Sequence, residues 1–478
     1  MRHHGGVNDL DPTPTPDPWP AYEPAPALIA DTAPLATEAP ADAPEPAGPR
    51  TGSARQNRLA VLGTVVALVV LAFGGGVAVG RVTAPGAAGE PVASAGTGVV
   101  PTPPPSAGPG LPSDGARLGR ADAKVVVDYW ADYQCPFCSK FAQEMIPQLT
   151  ALIEDGTVAL VHHDFAFIGP ESTDAAVAVR CAIGEGSYWQ MHDAVYAAQS
   201  GENKGAFAPA RLAQVAASVG LDPTAFGTCM GDHATRVAVL DETGAGVRSG
   251  ITSTPTIDVN GHRFLGVPKP ADLLAAISAA AAGASPEPLP SAAPMSDPWS
   301  ATTTAGRTAG DAAAPLTVEL WMDYQAKGST ALANDLEPGL RDRIASGAIR
   351  VVRHDLALLG TDSSMAAVTV RCTEAQAGPA WFVHDILAVS AQGAGTGILD
   401  VDNILTFAAR LGLHVAALDT CLADASVTDQ VAADTAAGQA LGLDAGPAVI
   451  VRRGDAEVAR YTGELDAAAI LTALDAVK

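Results

Sequence analysis

The sequence predicts an α/β protein made of two tandem copies of one domain, behind a tail and one membrane-spanning helix. Three observations carry this. A strand-like run from Val125 to Trp130 leads into a helix-like run from Pro136 to Ile153 and a second strand-like run from Val158 to His162. Strand–helix–strand implies a right-handed crossover and a parallel pair. The same pattern recurs 191 positions later. Finally, Leu59 to Gly80 is an apolar run with no charge, long enough to cross a hydrocarbon core of ~30 Å as a helix.

The elements follow in order. Residues 1–58 form a tail rich in Pro, Ala, Asp and Glu. Such a stretch buries too little apolar surface to offset its chain entropy, so disorder is expected. His3 and His4 lie in this tail and read as incidental neighbours, not as a metal site. Residues 59–80 are the expected transmembrane helix. Arg50, Arg55 and Arg58 precede it, and only Arg81 follows closely. The positive-inside bias then places the N-terminus in the cytoplasm and the rest of the chain outside. A cleaved signal peptide is the rival, but its apolar core is normally ~7–15 residues behind a short basic start. Residues 81–116 read as a flexible linker, 117–282 as the first domain, 283–315 as a second linker and 316–478 as the second domain.

Formal charge is −24 over 478 residues. A chain this acidic lacks the Lys/Arg patches that nucleic acid or an anionic bilayer surface calls for. The six cysteines are an even number, compatible with disulfides in an oxidising compartment.

The repeat holds register throughout. The run from Val126 to Gln134 recurs as Thr317 to Gln325, and Leu160 to Asp164 recurs as Val351 to Asp355. Cys181 answers Cys372, Trp189 answers Trp381, Cys229 answers Cys421, and Pro255 answers Pro447. Within the first copy a long helical stretch is expected from Ser172 to about Gly246. Strands Thr256 to Val259 and His262 to Leu265 follow, then a helix from Pro270 to Ala281. Asn260-Gly261 between the two strands is a hairpin signal.

The chemistry centres on Cys135-Pro136-Phe137-Cys138. Two thiols at this spacing, where a strand gives way to a helix, suit disulfide exchange. The partial positive charge of a helix N-terminus favours thiolate at the first cysteine, and the thiolate is the form that attacks sulfur. Cys135 lies nearest the helix start and Cys138 one turn inside. Pro136 suits the first helical turn because it has no N–H to lose. The spacing also suits a metal knuckle, but a zinc ribbon needs a second paired set and the other cysteines are isolated. No metal ligand set and no cofactor motif is read from the sequence.

The stretch Asp132 to Cys138, the segment Trp189 to Asp193, and Gly250 to Thr256 followed by Asn260-Gly261 together resemble the DsbA-like branch of the thioredoxin superfamily. The resemblance implies two tandem thioredoxin-like folds with DsbA-type helical insertions. It implies a protein thiol–disulfide oxidoreductase working outside the cytoplasm; with the apolar run at 59–80 this reads as a membrane-tethered oxidase or oxidase/isomerase acting on cysteines of exported proteins. Cys135 would be the nucleophile and Cys138 the buried resolving thiol. Pro255 would be the cis-proline facing the site, with Thr254 offering its backbone to an extended substrate. The reoxidising partner implied is a quinone-linked membrane oxidase of the DsbB or vitamin-K-epoxide-reductase-like type. Cys181 with Cys229, and Cys372 with Cys421, are expected as structural disulfides, each stabilising by roughly 3–5 kcal/mol in the chain-entropy model.

One departure stands out. Many members carry a buried acid six residues before the first cysteine, and here that position is Tyr129. Asp128 is one residue earlier and should face the other side of the strand. Asp132 reads as a turn and helix-entry residue, and His192 as a hydrogen-bonded structural histidine. In the second copy the dithiol is replaced by Ala326-Lys327-Gly328-Ser329, so that copy cannot exchange disulfides. The alternative from another class is a peptide-binding or scaffold protein whose cysteine pair is only structural.

Overall fold

The strand Val125–Ala131 (β3) alternates between buried and half-buried positions along its length. A strand covered by helices on both faces does this when one face is packed more deeply than the other. The structure is a computed structural model that describes residues 111–284, 297–374, 376, 380–390 and 399–477. The expected disordered tail and the expected transmembrane helix at 59–80 lie outside the described residues. Among the described residues no helix is long and apolar enough to cross a membrane.

The first sheet begins with two short strands at one side, Ser113–Asp114 (β1) at the edge and Arg117–Leu118 (β2) next to it. After β3 come Val158–Asp164 (β4), Thr256–Val259 (β5) and His262–Leu265 (β6). The order across the sheet is β1-β2-β4-β3-β5-β6. β3 and β4 pair in parallel, and every other pairing is antiparallel. The crossover between the parallel pair is the helix Pro136–Lys140 (α1), a π-helical segment Phe141–Met145, and Ile146–Glu154 (α2). The Ile146 N–H reaches back to the Phe141 carbonyl there. Pro147 has no N–H to give to the preceding turn, which accounts for the widened turn.

The helical stretch expected from Ser172 to Gly246 is five helices: Pro170–Arg180 (α3), Tyr188–Ala198 (α4), Pro209–Ser218 (α5), Pro223–Met230 (α6) and His233–Arg248 (α7). The breaks have local causes. Asp222 caps α6 by accepting from the Thr224 and Ala225 N–H groups, and Pro223 fills its first turn. The closing helix Pro270–Ala281 (α8) buries Leu273 and Ile277 against the sheet.

The second sheet repeats the first. Its strands are Thr304–Ala305 (β7), Thr308–Ala309 (β8), Leu316–Met322 (β9), Ile349–Asp355 (β10), Ala448–Arg453 (β11) and Ala456–Thr462 (β12). Their order, β7-β8-β10-β9-β11-β12, matches the first sheet strand for strand. The π-helical segment recurs at Leu332–Leu336, just before Pro338.

Two boundaries move from their expected places. β1 lies inside the stretch read as the first linker. Residues 297–315, read as linker, belong to the second domain. Trp299 is 2 % exposed, its ring centroid lies 4.4 Å from that of Trp381, and its indole N–H donates to Asp385 at 2.9 Å. Two-residue strands and a lone tryptophan set no period, so the Pro/Ala/Ser composition around them dominated the reading.

The two domains share packing. Val237 and Leu240 of α7 belong to the hydrophobic cluster of the second domain. Arg248 donates to the Leu413 carbonyl at 2.7 Å. Asp241 accepts from the Val415 N–H at 2.6 Å, at the start of the helix Val415–Leu422. There its charge also complements the helix N-terminus.

Replacing Trp299 by Ala should destabilise the second domain by about 3–5 kcal/mol, the usual cost of deleting a buried aromatic. Urea unfolding of the full chain followed by tryptophan fluorescence reads this. An effect near zero would return residues 297–315 to a linker.

Candidate active site

The end of β3 hands the chain to α1 through a turn pinned by one carboxylate. Asp132 is 1 % exposed. Its Oδ1 accepts from the Gln134 N–H at 2.7 Å and from the Ser172 hydroxyl at 2.7 Å. Its Oδ2 accepts from the Phe167 and Ile168 N–H groups at 2.8 and 2.9 Å. Four donors satisfy a buried carboxylate that would otherwise be costly. The expected turn role is thus also a link to the loop after β4. Burial still raises the Asp132 pKa, against these hydrogen bonds.

That turn delivers Cys135 to the N-cap position of α1 with Pro136 just inside. Cys135 is 5 % exposed and Cys138 fully buried; both are free thiols. The Cys135 thiol is pulled down to about 6, first by the hydrogen bond from the Cys138 thiol. Thr254 and the N–H groups of Cys138 and Phe137 act the same way, while burial opposes. Cys138 is pushed well up, first by burial and then by its hydrogen bond and charge interaction with Cys135. The two thiols therefore differ sharply: the lowered pKa favours thiolate at Cys135 near neutral pH, and the raised one keeps Cys138 protonated.

Facing them is the loop before β5. The Thr254–Pro255 bond is cis, and the Thr254 carbonyl lies 3.4 Å from Cys135 Sγ. An open cleft of about 410 Å³ adjoins the turn, lined by Gln134, Pro136, Gln199, Gly201, Glu202 and Lys204. Phe137 is 62 % exposed beside the thiols, and Phe167 is 40 % exposed on the loop that Asp132 anchors. The Arg410 guanidinium of the second domain lies 5.7 Å from the Phe167 ring centroid and donates to the Phe167 carbonyl at 3.3 Å.

Tyr129 lies beneath Cys138. Its hydroxyl donates to the Cys138 carbonyl at 2.9 Å and sits 3.2 Å from the Tyr196 hydroxyl. Burial pushes its phenol well above the ordinary value, so it stays neutral. Asp128 points elsewhere, 2.9 Å from His163 Nε2, while His163 Nδ1 is 2.9 Å from Glu242. Burial works to lower the His163 pKa, but the hydrogen bonds to Asp128 and Glu242 outweigh it and raise the group to about 9. Asp128 thus belongs to a charge cluster with Arg180 and Asp164, not to the thiols. His162 is held neutral, first by burial, and pairs with the Tyr188 hydroxyl at 2.8 Å. His192 Nδ1 lies 2.9 Å from Asp193.

Cys181 and Cys229 are bonded at 2.03 Å, and Cys372 and Cys421 are likewise joined. In the second copy Ser329 stands in the place of Cys138 and donates to the Asp323 carbonyl at 2.5 Å. The Gly446–Pro447 bond is cis. Pro447 sits so close to Gly328 that a Cβ there would meet the proline ring at 2.7 Å. Asp323 keeps all four donors of its counterpart: Gln325, Leu358, Leu359 and Ser363. The sequence reading missed the reach of Asp132 to the β4 loop, the Tyr129–Tyr196 pair and Arg410. The repeated Asp-Tyr-Gln was the available signal for the first.

The family described as Thioredoxin matches residues 113–279 and again residues 302–470. Among characterised relatives, a Na(+)/H(+) antiporter NhaA 1 of Salinispora arenicola is 29% identical over 164 residues, 34% of this chain and 24% of that protein. The "Probable disulfide bond formation protein D" of Bacillus anthracis is 33% identical over 85 residues, 17% of this chain and 39% of that protein. The chain thus spans about a quarter of the antiporter's length. Among solved structures, oxidised BdbD from Bacillus subtilis is 25% identical, with a TM-score of 0.34, covering 36% of this chain and 97% of that one.

Alkylation of the reduced chain by iodoacetamide should follow the Cys135 thiolate, with a midpoint near pH 6. Cys138 should stay unmodified across the neutral range. In addition, Asp132→Ala and Asp323→Ala should each lower stability by about 2–4 kcal/mol, since each strands several buried donors. Equal effects would mark this carboxylate as structural, because only one of the two copies has thiols.

Proposed function

We propose, from the premise that this chain belongs to the thioredoxin family in both of its folded halves, that it is a protein thiol–disulfide oxidoreductase. Its substrates in this reading are cysteine-containing exported proteins, and it acts as an oxidase. The observation that carries the reading is the divergence of the two thiols. Cys135 is lowered to about 6 at the start of a helix, and its buried partner Cys138 is raised. A structural cysteine pair has no need of that split.

The chemistry follows. In the oxidised form Cys135 and Cys138 share a disulfide. A substrate thiolate attacks Cys135 Sγ; the Cys135–Cys138 bond breaks, and Cys138 leaves and takes up a proton. A second substrate thiolate then attacks the substrate sulfur of the mixed disulfide, and Cys135 leaves as a thiolate. Two electrons pass from the substrate dithiol to the pair. A low leaving-group pKa speeds the second step, and a stabilised Cys135 thiolate favours the reduced pair, so electrons flow into it. Thr254 and Pro255 present backbone to the substrate, and Phe137 offers an apolar contact. Reoxidation falls to a quinone-linked membrane thiol oxidase. The apolar run at 59–80 and the arginines before it support a single-pass tether with both domains outside the membrane. The second domain braces the first through Arg248, Asp241 and Arg410 and performs no exchange itself.

A Cys138→Ala variant should accumulate mixed disulfides with exported proteins in cells, seen as reducible high-mass bands, and Cys135→Ala should accumulate none. Equal trapping by both, or by neither, contradicts the reading. The sign of the pH effect is also set. Cys135 is lowered in the folded state from 9.0 to about 6, so its contribution is full above about pH 9 and is lost as pH falls through about 6. The reduced chain should therefore gain stability from pH 6 to 9, measured by chemical denaturation against the oxidised chain, in which Cys135 does not titrate.

A further inference from the structure

The second domain has lost its thiols but gained a buried acid. Glu337 follows the π-helical segment at the place held by Ile146 in the first domain, and it is fully buried. Beside it lie His384 and Asp385, in the places of His192 and Asp193. One ligating atom from each of Glu337, His384 and Asp385 falls within 4.8 Å of the others.

His384 and Asp385 are held from outside, and the three groups meet on the inside. The Tyr324 hydroxyl lies 2.8 Å from His384 Nδ1, which leaves Nε2 to face Glu337 Oε1 at 2.7 Å. Asp385 Oδ2 accepts from the Trp299 indole at 2.9 Å and lies 3.5 Å from Arg341. Asp385 Oδ1 and Glu337 Oε2 are buried with no N–H or hydroxyl donor; the two carboxyl groups meet each other, and burial raises the pKa of both. Without a cation, two buried carboxyl groups side by side must share a proton to avoid the cost of burying two charges. A divalent cation can take the place of that proton.

We propose that Glu337, His384 and Asp385 form a divalent transition-metal site of the zinc class, present only in the second domain. The donor set is one imidazole nitrogen and two carboxylates, which suits Zn²⁺. With metal–ligand bonds of about 2.0–2.2 Å, neighbouring ligand atoms lie about 3.4 Å apart, so the 2.7 Å pair His384 Nε2 and Glu337 Oε1 opens while separations of up to 4.8 Å close. The outer contacts match what such ligands need. Tyr324 holds His384 at Nδ1, which leaves Nε2 as the nitrogen on the side of the carboxylates, and Trp299 and Arg341 orient Asp385. Binding releases the proton that the His384–Glu337–Asp385 group otherwise holds. The site is independent of the thiol chemistry: the first domain has Ile146 where the decisive carboxylate stands.

The test uses the full chain with Cys135→Ser and Cys138→Ser, so that thiols cannot bind the probe. Equilibrium dialysis against Zn²⁺ after chelator treatment should give one bound ion per chain. X-ray absorption of that sample should show a shell of nitrogen and oxygen with one imidazole. Glu337→Gln should weaken binding at least about 100-fold while circular dichroism stays unchanged. Absence of stoichiometric binding, a shell with several imidazoles, or unchanged affinity in Glu337→Gln overturns the proposal. If Glu337→Gln does not fold, the absorption spectrum of the parent chain decides alone. None of these outcomes bears on disulfide exchange, which the serine pair has already abolished.

Discussion

The site depends on one buried carboxylate. Asp132 ties the last turn of β3, the Gln134 backbone, the loop after β4 and Ser172 into one unit. Without it, Cys135 would not be held at the head of α1, and the helix N-terminus could not act on its sulfur. Thiolate formation is a matter of position here: Cys135 meets a thiol donor and backbone N–H groups, while Cys138 is raised first by burial and then by Cys135 itself. A separation of less than one helical turn thus gives two thiols of opposite acidity.

Duplication makes the molecule its own control. The second copy keeps the Asp323 anchor, the inter-helix disulfide, the π-helical segment, and the Arg371–Asp355 and Arg371–Asp434 ion pairs that answer Arg180, Asp164 and Glu242. These features survive without thiols, so they serve the fold. What differs lies around the former redox centre. Tyr129 has become Leu320, Tyr196 has become Ala388, Ile146 has become Glu337, and the proline loop closes on Gly328. The first copy has an open cleft beside its turn, and the second carries Glu337 in its interior where the first has Ile146.

Much of this was legible in the sequence. The strand–helix–strand start, the hairpin at Asn260-Gly261 and the closing helix Pro270–Ala281 follow from apolar period and turn residues, and they stand where expected. Cys135-Pro136-Phe137-Cys138 was legible because its chemistry needs that spacing at a helix start. Other features were not. The strands β1, β2, β7 and β8 are too short to show a period. The burial of Trp299 depends on a partner 82 positions on in the chain, Trp381. The Glu337–His384–Asp385 group draws on two helices of the second domain, and no linear spacing announces it. Arg410 reaches a loop 243 residues away, a contact that exists only once both domains have folded and docked.

The reduction potential of the Cys135–Cys138 pair, measured by equilibration of the full chain in glutathione buffers, tests the central claim most directly. A stabilised Cys135 thiolate beside a buried, protonated Cys138 predicts a potential well above that of thioredoxin, about −270 mV, and within the range of dedicated oxidants and isomerases, about −180 to −120 mV. A value at or below about −270 mV would contradict an oxidase, because such a pair gives electrons to its substrates instead of taking them.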